Sequence, residues 1–365
     1  MSEELFDAFR GRRVLVTGHT GFKGSWLVSW LLHRRAEVMG FALDPPTNPS
    51  LYAQLGLASK IEQRIADIRH RREICECLVR WQPEIIFHLA AQPLVRKSYD
   101  EPIETFDVNV MGTLQLLDAI RTLNRTCVVV VVTSDKCYRN HEWEYAYREN
   151  DALGGKDPYS CSKAMTELAV DCYRNSFLHD AGIYVASVRA GNVIGGGDWA
   201  EDRIVPDAIR ALSKDHSISV RNPHSSRPWQ HVLEPLHGYL RLAARIVSAK
   251  DEGDRNELCS AFNFGPPQSS NVAVATLIDC IAKTWSAFNP SSAPRWEDDS
   301  DPDAPHEARL LHVASDKAHH LLDWRCVWSL QQTVEETISW YHRVRQGEAA
   351  MSVTLEQIQQ FESLA

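Results

Sequence analysis

Arg12-Arg13-Val14-Leu15-Val16-Thr17-Gly18-His19-Thr20-Gly21-Phe22-Lys23-Gly24 opens a segment that ends at Glu37-Val38-Met39-Gly40-Phe41-Ala42-Leu43-Asp44. The first six residues read as a strand that stops in a glycine turn. Between the turn and Glu37, Ser25 to Arg35 carries Trp26, Leu27, Trp30 and Leu31 at helical spacing. Glu37 to Leu43 is a second strand, stopped by Asp44-Pro45-Pro46. This is a βαβ unit, and it commits the chain to a parallel sheet. The pattern continues outward. Arg64 to Asp67 is a short third strand, Arg71 to Trp81 a helix stopped by Pro83, and Glu84 to His88 a fourth strand. A long helix over about 102–123 shows Phe106, Val110, Leu114 and Leu117 on one stripe. Val128-Val129-Val130-Val131-Val132 reads as a buried fifth strand. A helix over about 158–178 and a sixth strand at Ile183–Val188 follow. The alternation predicts an α/β fold with a doubly wound parallel sheet in the order 3-2-1-4-5-6.

After Arg189 the character changes. Gly195-Gly196-Gly197 lies in a loop, Pro and Trp become frequent, and the alternation weakens. Residues 1–189 are therefore expected to form the nucleotide-binding domain, with about 226–264 and 307–330 returning to it. Residues 190–225 and 265–306 are expected to form a smaller, discontinuous α+β lobe for substrate. Residues 331–365 read as C-terminal helices, at about 329–345 and 352–364.

Composition bounds the functional classes. Hydrophobic residues make up 44% and charged residues 24% of 365 residues, as in an ordinary globular chain. A net charge of −9 argues against nucleic acid as a partner. There is no 18-residue apolar run, and Met1-Ser2-Glu3-Glu4 is acidic, so the expectation is a cytoplasmic protein with no membrane association. Nine scattered cysteines argue against a disulfide framework. Cys75-Glu76-Cys77 lacks a second ligand pair, so buried helix thiols are expected there and no metal.

Gly18, Gly21 and Gly24 meet the needs of a pyrophosphate cradle: a tight turn, close backbone approach and open amides at a helix start. Three glycines also make an ordinary turn, so the flanking strand and helix carry the argument. Asp44 follows Gly24 by 20 residues at the end of the second strand. A carboxylate there accepts bonds from ribose hydroxyls and repels a 2′-phosphate, which favours NAD over NADP. Lys23 is a candidate phosphate partner, the alternative being a solvated lysine on a turn. Asp67 is a candidate adenine contact, the alternative being a surface helix cap. The valine strand ends in Thr133-Ser134-Asp135-Lys136, at the sheet edge where such folds bind ligands. Tyr159 and Lys163 are four apart on one expected helix face, 25 residues and more beyond Ser134. A tyrosine, a cation and a strand-end hydroxyl make a proton-transfer set.

Together Thr17-Gly18-x-x-Gly21-x-x-Gly24, His88-Leu89-Ala90-Ala91, Asn109, Ser134 and Tyr159-x-x-x-Lys163 resemble the extended short-chain dehydrogenase/reductase superfamily. Within it the chain resembles the nucleotide-sugar 4,6-dehydratases. That second likeness rests on Gly18 to Gly24, Thr133 to Tyr138, the Arg189 to Trp199 segment, Arg227-Pro228-Trp229 and His306-Glu307. It implies NAD held by Gly18, Thr20, Gly21, Phe22, Lys23, Gly24, Asp44, Asp67, Ile68, Leu89, Ala90, Ala91, Asn109, Tyr159 and Lys163. It implies a nucleotide-sugar substrate, CDP-glucose, held by Gln92, Ser134, Asn192, Arg203, Arg227, Asn263 and His306. Tyr159 would take the 4-hydroxyl proton, with Lys163 and the cofactor favouring its phenolate over an ordinary phenol with a pKa near 10. Ser134 would hold the hydroxyl.

Elimination of water across C5 and C6 needs an acid and a base. Asp135 keeps the acid role by position, and for it must stay protonated at neutral pH. Lys136 stands where the dTDP-sugar enzymes place a glutamate. It would act as the C5 base after losing its proton, or as a fixed cation beside an enolate. The resemblance also implies a homo-oligomer, a dimer or tetramer, through the two long helices. A 4-epimerase of the same superfamily would use Ser134, Tyr159 and Lys163 without an acid–base pair. A non-catalytic NAD-sensing protein has no need of Tyr159 or Lys163.

Overall fold

The structure is a computed structural model, and it describes residues 7–123, 125–301 and 310–365. Seven strands form one parallel sheet: β1 Arg13–Thr17, β2 Glu37–Ala42, β3 Glu62–Ile65, β4 Ile85–His88, β5 Cys127–Val132, β6 Ile183–Ala190 and β7 Ala261–Phe264. Their spatial order is β3-β2-β1-β4-β5-β6-β7. The expected order therefore holds, and a seventh strand extends it beside β6. β3 starts two residues before the expected one, because Met39 of β2 pairs with Glu62.

The valine run explains the layering. Val128 and Val130 point into one core with Trp26, Leu27 and Phe87. Val129 and Val131 point into the opposite core with Leu15, Leu116 and Ile120. A strand buried on both faces needs helices on both. Helix α1 (Phe22–His33) serves the first core, and α2 (Arg71–Trp81) serves the second.

The expected helix over 102–123 is built in pieces. α3 (Pro102–Phe106) passes through a wide π turn at Asp107–Met111 into α4 (Gly112–Ile120). Gly112 is required there, since a Cβ would sit 2.7 Å from Ile68 Cγ2. α5 (Pro158–Tyr173) is started by Asp157, whose carboxylate accepts the Ser160 amide at 2.9 Å, with Pro158 in the first turn. It too ends in a wide turn, at Arg174–Leu178.

The remaining segments include α6 (Ile204–Leu212) and α7 (Leu233–Ser248), whose buried residues join the first core. Val193–Ile194 pairs with Gln230–His231, and Ile218–Val220 pairs with Trp296–Asp298. Ser226–Pro228 pairs with Asn271–Ala273, ahead of α8 (Val274–Phe288). Residues 226–231 thus ladder with Val193–Ile194 and Asn271–Ala273 ahead of α7. The C-terminal helices α9 (Leu330–Arg345) and α10 (Ala350–Leu364) fold back onto the start of the chain. Trp340 of α9 lies so close to Gly196 that a Cβ there would be 2.0 Å from its ring. Trp26 donates to Gly196 O at 3.0 Å, and Trp30 donates to Glu362 of α10 at 2.6 Å. The glycine loop at 195–197 is held between the two ends of the chain.

All nine cysteines are free thiols. Among the described residues no helix is long and apolar enough to cross a membrane.

Candidate active site

The glycine turn after β1 has the shape of a phosphate cradle. Gly18 has φ +73°, and a Cβ on it would meet Ala90 N at 2.7 Å. A Cβ on Gly24 would meet Gly18 O at 2.1 Å. Gly21 caps α1 without a side-chain acceptor, which leaves the first-turn amides available to an anion. Thr20 ties the turn to β2 by donating to Leu43 O at 2.9 Å. Thr17 accepts the amides of Leu89 and Ala90 at 3.1 and 3.2 Å and so holds the end of β4 against the turn. Behind it His88 bridges Thr17 and Thr113 at 2.7 and 3.0 Å. Burial pulls that imidazole down to about 3, so it is neutral at physiological pH.

Asp44 is exposed just past β2, open to a ribose. These features fit a dinucleotide. Asp67, Ile68 and Asn109 also make contacts within the protein. The Asp67 carboxylate is held by Arg69, at 2.6 Å from Nη2 and 2.8 Å from the Arg69 amide. Ile68 is buried against Gly112. The Asn109 side chain bonds both backbone groups of Gln92 and the Ser162 hydroxyl, at 2.8, 3.1 and 2.9 Å. It positions the loop after β4 against α5.

At the end of β5 the chain turns through Asp135–Cys137 in a short 3-10 turn capped by Ser134, whose Oγ accepts the Lys136 amide at 3.2 Å. Ser134 also donates to Asp135 Oδ1 at 3.0 Å and acts on the nearby Tyr159 phenol. Asp135 is 3% exposed. Burial raises its pKa, against the pull of Lys136, Ser134 and Arg227. Gly191 packs against it, since a Cβ there would lie 2.9 Å from Asp135 Oδ2. Lys136 is half-buried beside it.

Tyr159 and Lys163 face this turn from α5, with the ammonium 6.0 Å from the phenol ring centre. Burial pushes Tyr159 up to about 12, opposed by Ser134 and Arg203. That is opposite to the lowering the sequence suggested, because desolvation outweighs the cations the protein supplies. Burial lowers Lys163 to about 8, opposed by Glu167.

Glu167 belongs to a buried network that sequence reasoning missed, although its spacing four residues after Lys163 was visible. Its carboxylate accepts from Thr133, from Ser187 at 2.8 Å and from Arg189 at 2.8 Å. Burial pushes this carboxyl up, but Arg189 and the two hydroxyls outweigh it and leave it lowered. Arg189 in turn donates to the Tyr138 hydroxyl at 2.7 Å. The network locks the strand end that carries Ser134 and Asp135.

The substrate-side candidates divide. Arg227 is buried beside Asp135, Arg203 pairs with Asp198 at 3.1 Å, and half-buried Asn192 follows Gly191. Arg203 also acts on Tyr159, and it is Gly191, next to Asn192, that packs on Asp135. Gln92 and Asn263 do not present free side chains. The Gln92 side-chain amide bonds Leu94 in its own loop and Thr105 of α3. Asn263 is wholly buried on β7, donating to Tyr147 O at 3.0 Å and accepting from Tyr138 at 2.7 Å. His306 lies outside the described residues.

Comparison with known proteins follows the same outline. The family model described as GDP-mannose 4,6 dehydratase matches residues 15–337. A CDP-glucose 4,6-dehydratase of Salmonella typhimurium is 43% identical over 360 residues, covering 97% of each chain. Among solved structures, a dTDP-glucose 4,6-dehydratase of Bacillus anthracis in complex with NAD superimposes with TM-score 0.73 at 17% identity, over 93% of this chain and 100% of that one. A UDP-glucose 4-epimerase of Thermus thermophilus in complex with NAD gives 0.74 at 22% identity, over 91% and 99%.

Proposed function

We propose that this chain, which belongs to the GDP-mannose 4,6-dehydratase family, is a hydro-lyase that converts CDP-glucose to its 4-keto-6-deoxy form with NAD as cofactor. The observation that carries this is the buried Asp135 with Lys136 beside it, joined to Ser134, Tyr159 and Lys163 at one strand end. The last three suffice for oxidation at C4. The first two add the acid–base pair that dehydration needs and epimerisation does not. The choice of CDP-glucose rests on the near full-length similarity to the Salmonella enzyme.

NAD would lie with its pyrophosphate on the first turn of α1 and its adenosine ribose at Asp44. When bound, it supplies the redox chemistry, taking a hydride from sugar C4 and returning it to C6. The residues do the proton work. Tyr159 takes the 4-hydroxyl proton, with Ser134 bonded to both groups. Because burial holds that phenol at about 12 against Ser134 and Arg203, the last pull toward phenolate is electrostatic and comes with the ligands. Lys163 holds the nicotinamide ribose and keeps a cation near the phenol.

The ketone at C4 acidifies the C5 proton, which Lys136 removes and gives back to C5 when C6 receives the hydride. Asp135 gives its proton to the C6 oxygen, which leaves as water. The desolvation that raises the Asp135 pKa is what keeps this proton available. Arg227, Arg203 and Asn192 hold the sugar diphosphate.

The enzyme is cytoplasmic and works as a homo-oligomer. Exposed apolar side chains Ile103, Met111, Met165, Leu168 and Phe177 on and beside α3 to α5 supply the contact with a second copy.

Incubation with catalytic NAD and a panel of CDP-, dTDP-, UDP- and GDP-glucose and GDP-mannose tests this function. A 4-keto-6-deoxy product should form from CDP-glucose well ahead of the others. A C4 epimer with no keto-deoxy sugar would sink the proposal.

A further inference from the structure

Lys23 is half-buried at the glycine turn. Its backbone belongs to the first turn of α1, yet its ammonium turns inward and stands 5.7 Å from the ring centre of Tyr239 on α7. Among the described residues it has no hydrogen-bond or ion-pair partner. The charges that act on it are Asp135, Lys163 and Arg203, all at the reaction centre. Tyr239 is wholly buried, its hydroxyl has no partner among the described residues, and it feels Asp135 and Tyr159. An uncommitted cation and an uncommitted hydroxyl therefore sit together between the glycine turn and the Ser134–Tyr159–Lys163 group.

That interval has a definite use under the NAD-dependent function proposed above, on which this inference rests. A dinucleotide with its pyrophosphate on the first turn of α1 and its reacting ring beside Tyr159 must run through it. The ring carries one positive charge when oxidised and none when reduced, while the pyrophosphate is the same in both forms. A cation near the ring distinguishes the forms, and a cation on the phosphates does not. Burial, Arg203 and Lys163 have already lowered Lys23 to about 8, so another cation nearby is poorly tolerated.

We propose that Lys23 holds its positive charge beside the nicotinamide end of the bound dinucleotide and so favours the reduced form over the oxidised form. Tyr239 walls the ammonium on its inner side. The consequence for the reaction is a bias toward hydride uptake from C4 in the first step. Lys23 is thus a positioning and tuning residue, acting through charge and not through contact with the sugar.

Dissociation constants of NAD⁺ and NADH, measured by calorimetry with no sugar nucleotide present, test this without turnover. In Lys23→Met, which keeps the packing on Tyr239, the ratio of the NAD⁺ to the NADH constant should fall about tenfold, roughly 1.4 kcal/mol. Lys23→Arg should keep the wild-type ratio, which also guards against a folding effect. Tyr239→Phe should keep it too. An unchanged ratio in Lys23→Met, or both forms weakened together as a phosphate contact requires, would overturn the inference alone. A tenfold change in Tyr239→Phe would pass the effect to the hydroxyl and overturn it as well. Wild-type protein that binds neither form would overturn the proposed cofactor along with it.

Discussion

Replacing Asp135 by asparagine removes one exchangeable proton and preserves the shape. The amide oxygen can still accept from Ser134, which bonds the native carboxylate at 3.0 Å. What disappears is the group that protonates the leaving C6 oxygen. A positioned general acid is worth roughly 10²–10⁴ in rate, which is about 3–5 kcal/mol on the barrier. The Asp135→Asn variant should therefore still oxidise C4 while forming product at least about a hundredfold more slowly. The reduced-nicotinamide absorbance should rise and persist after a single addition of substrate.

Stability should move the other way. Burial raises the pKa of Asp135, so the folded protein holds this proton more tightly than the unfolded chain. The side chain's contribution to stability is complete below the unfolded carboxylate pKa. It is lost as pH rises through the folded one. At neutral pH the variant should melt above wild type, and the gap should close in acid. Product formation at an undiminished rate would refute the acid assignment. A melting point below wild type at neutral pH would refute the claim that burial raises this group.

Tyr159→Phe should abolish C4 oxidation itself, so no reduced cofactor accumulates and single-turnover absorbance stays flat, with a rate loss of about 10²–10⁴. Lys136→Met should resemble Asp135→Asn in accumulating oxidised sugar, and it should also stop exchange of the C5 proton with deuterated solvent, read by NMR. Glu167→Gln leaves the Arg189 guanidinium, 4% exposed at the side chain, without its 2.8 Å carboxylate partner. It should cost roughly 3–5 kcal/mol of stability by denaturant titration.

The parallel sheet was legible because local pattern and global topology agree. The valine run and the first βαβ unit each demand two-sided burial, and right-handed crossovers leave few strand orders. β7 was not legible, since Ala261–Phe264 is short and becomes a strand only by pairing with β6. Nor were the wide turns at Asp107–Met111 and Arg174–Leu178, which keep a helical side-chain pattern while changing its pitch.

Within the site, strand-end and helix-face residues were readable because sheet edge and i,i+4 spacing fix their direction. Side chains on loops were not. Gln92 and Asn263 turned into the protein to satisfy buried backbone and hydroxyl groups. The direction of Lys23 depends on Tyr239, which is distant in sequence and meets it only when α7 packs against the start of α1.

The central claim is that one strand end both oxidises C4 and expels the C6 hydroxyl. It is tested most directly with CDP-glucose carrying deuterium at C4 and catalytic NAD. The label should appear in the C6 methyl group of a 4-keto product. A product that keeps its C6 hydroxyl, with deuterium returned to an inverted C4, would contradict it.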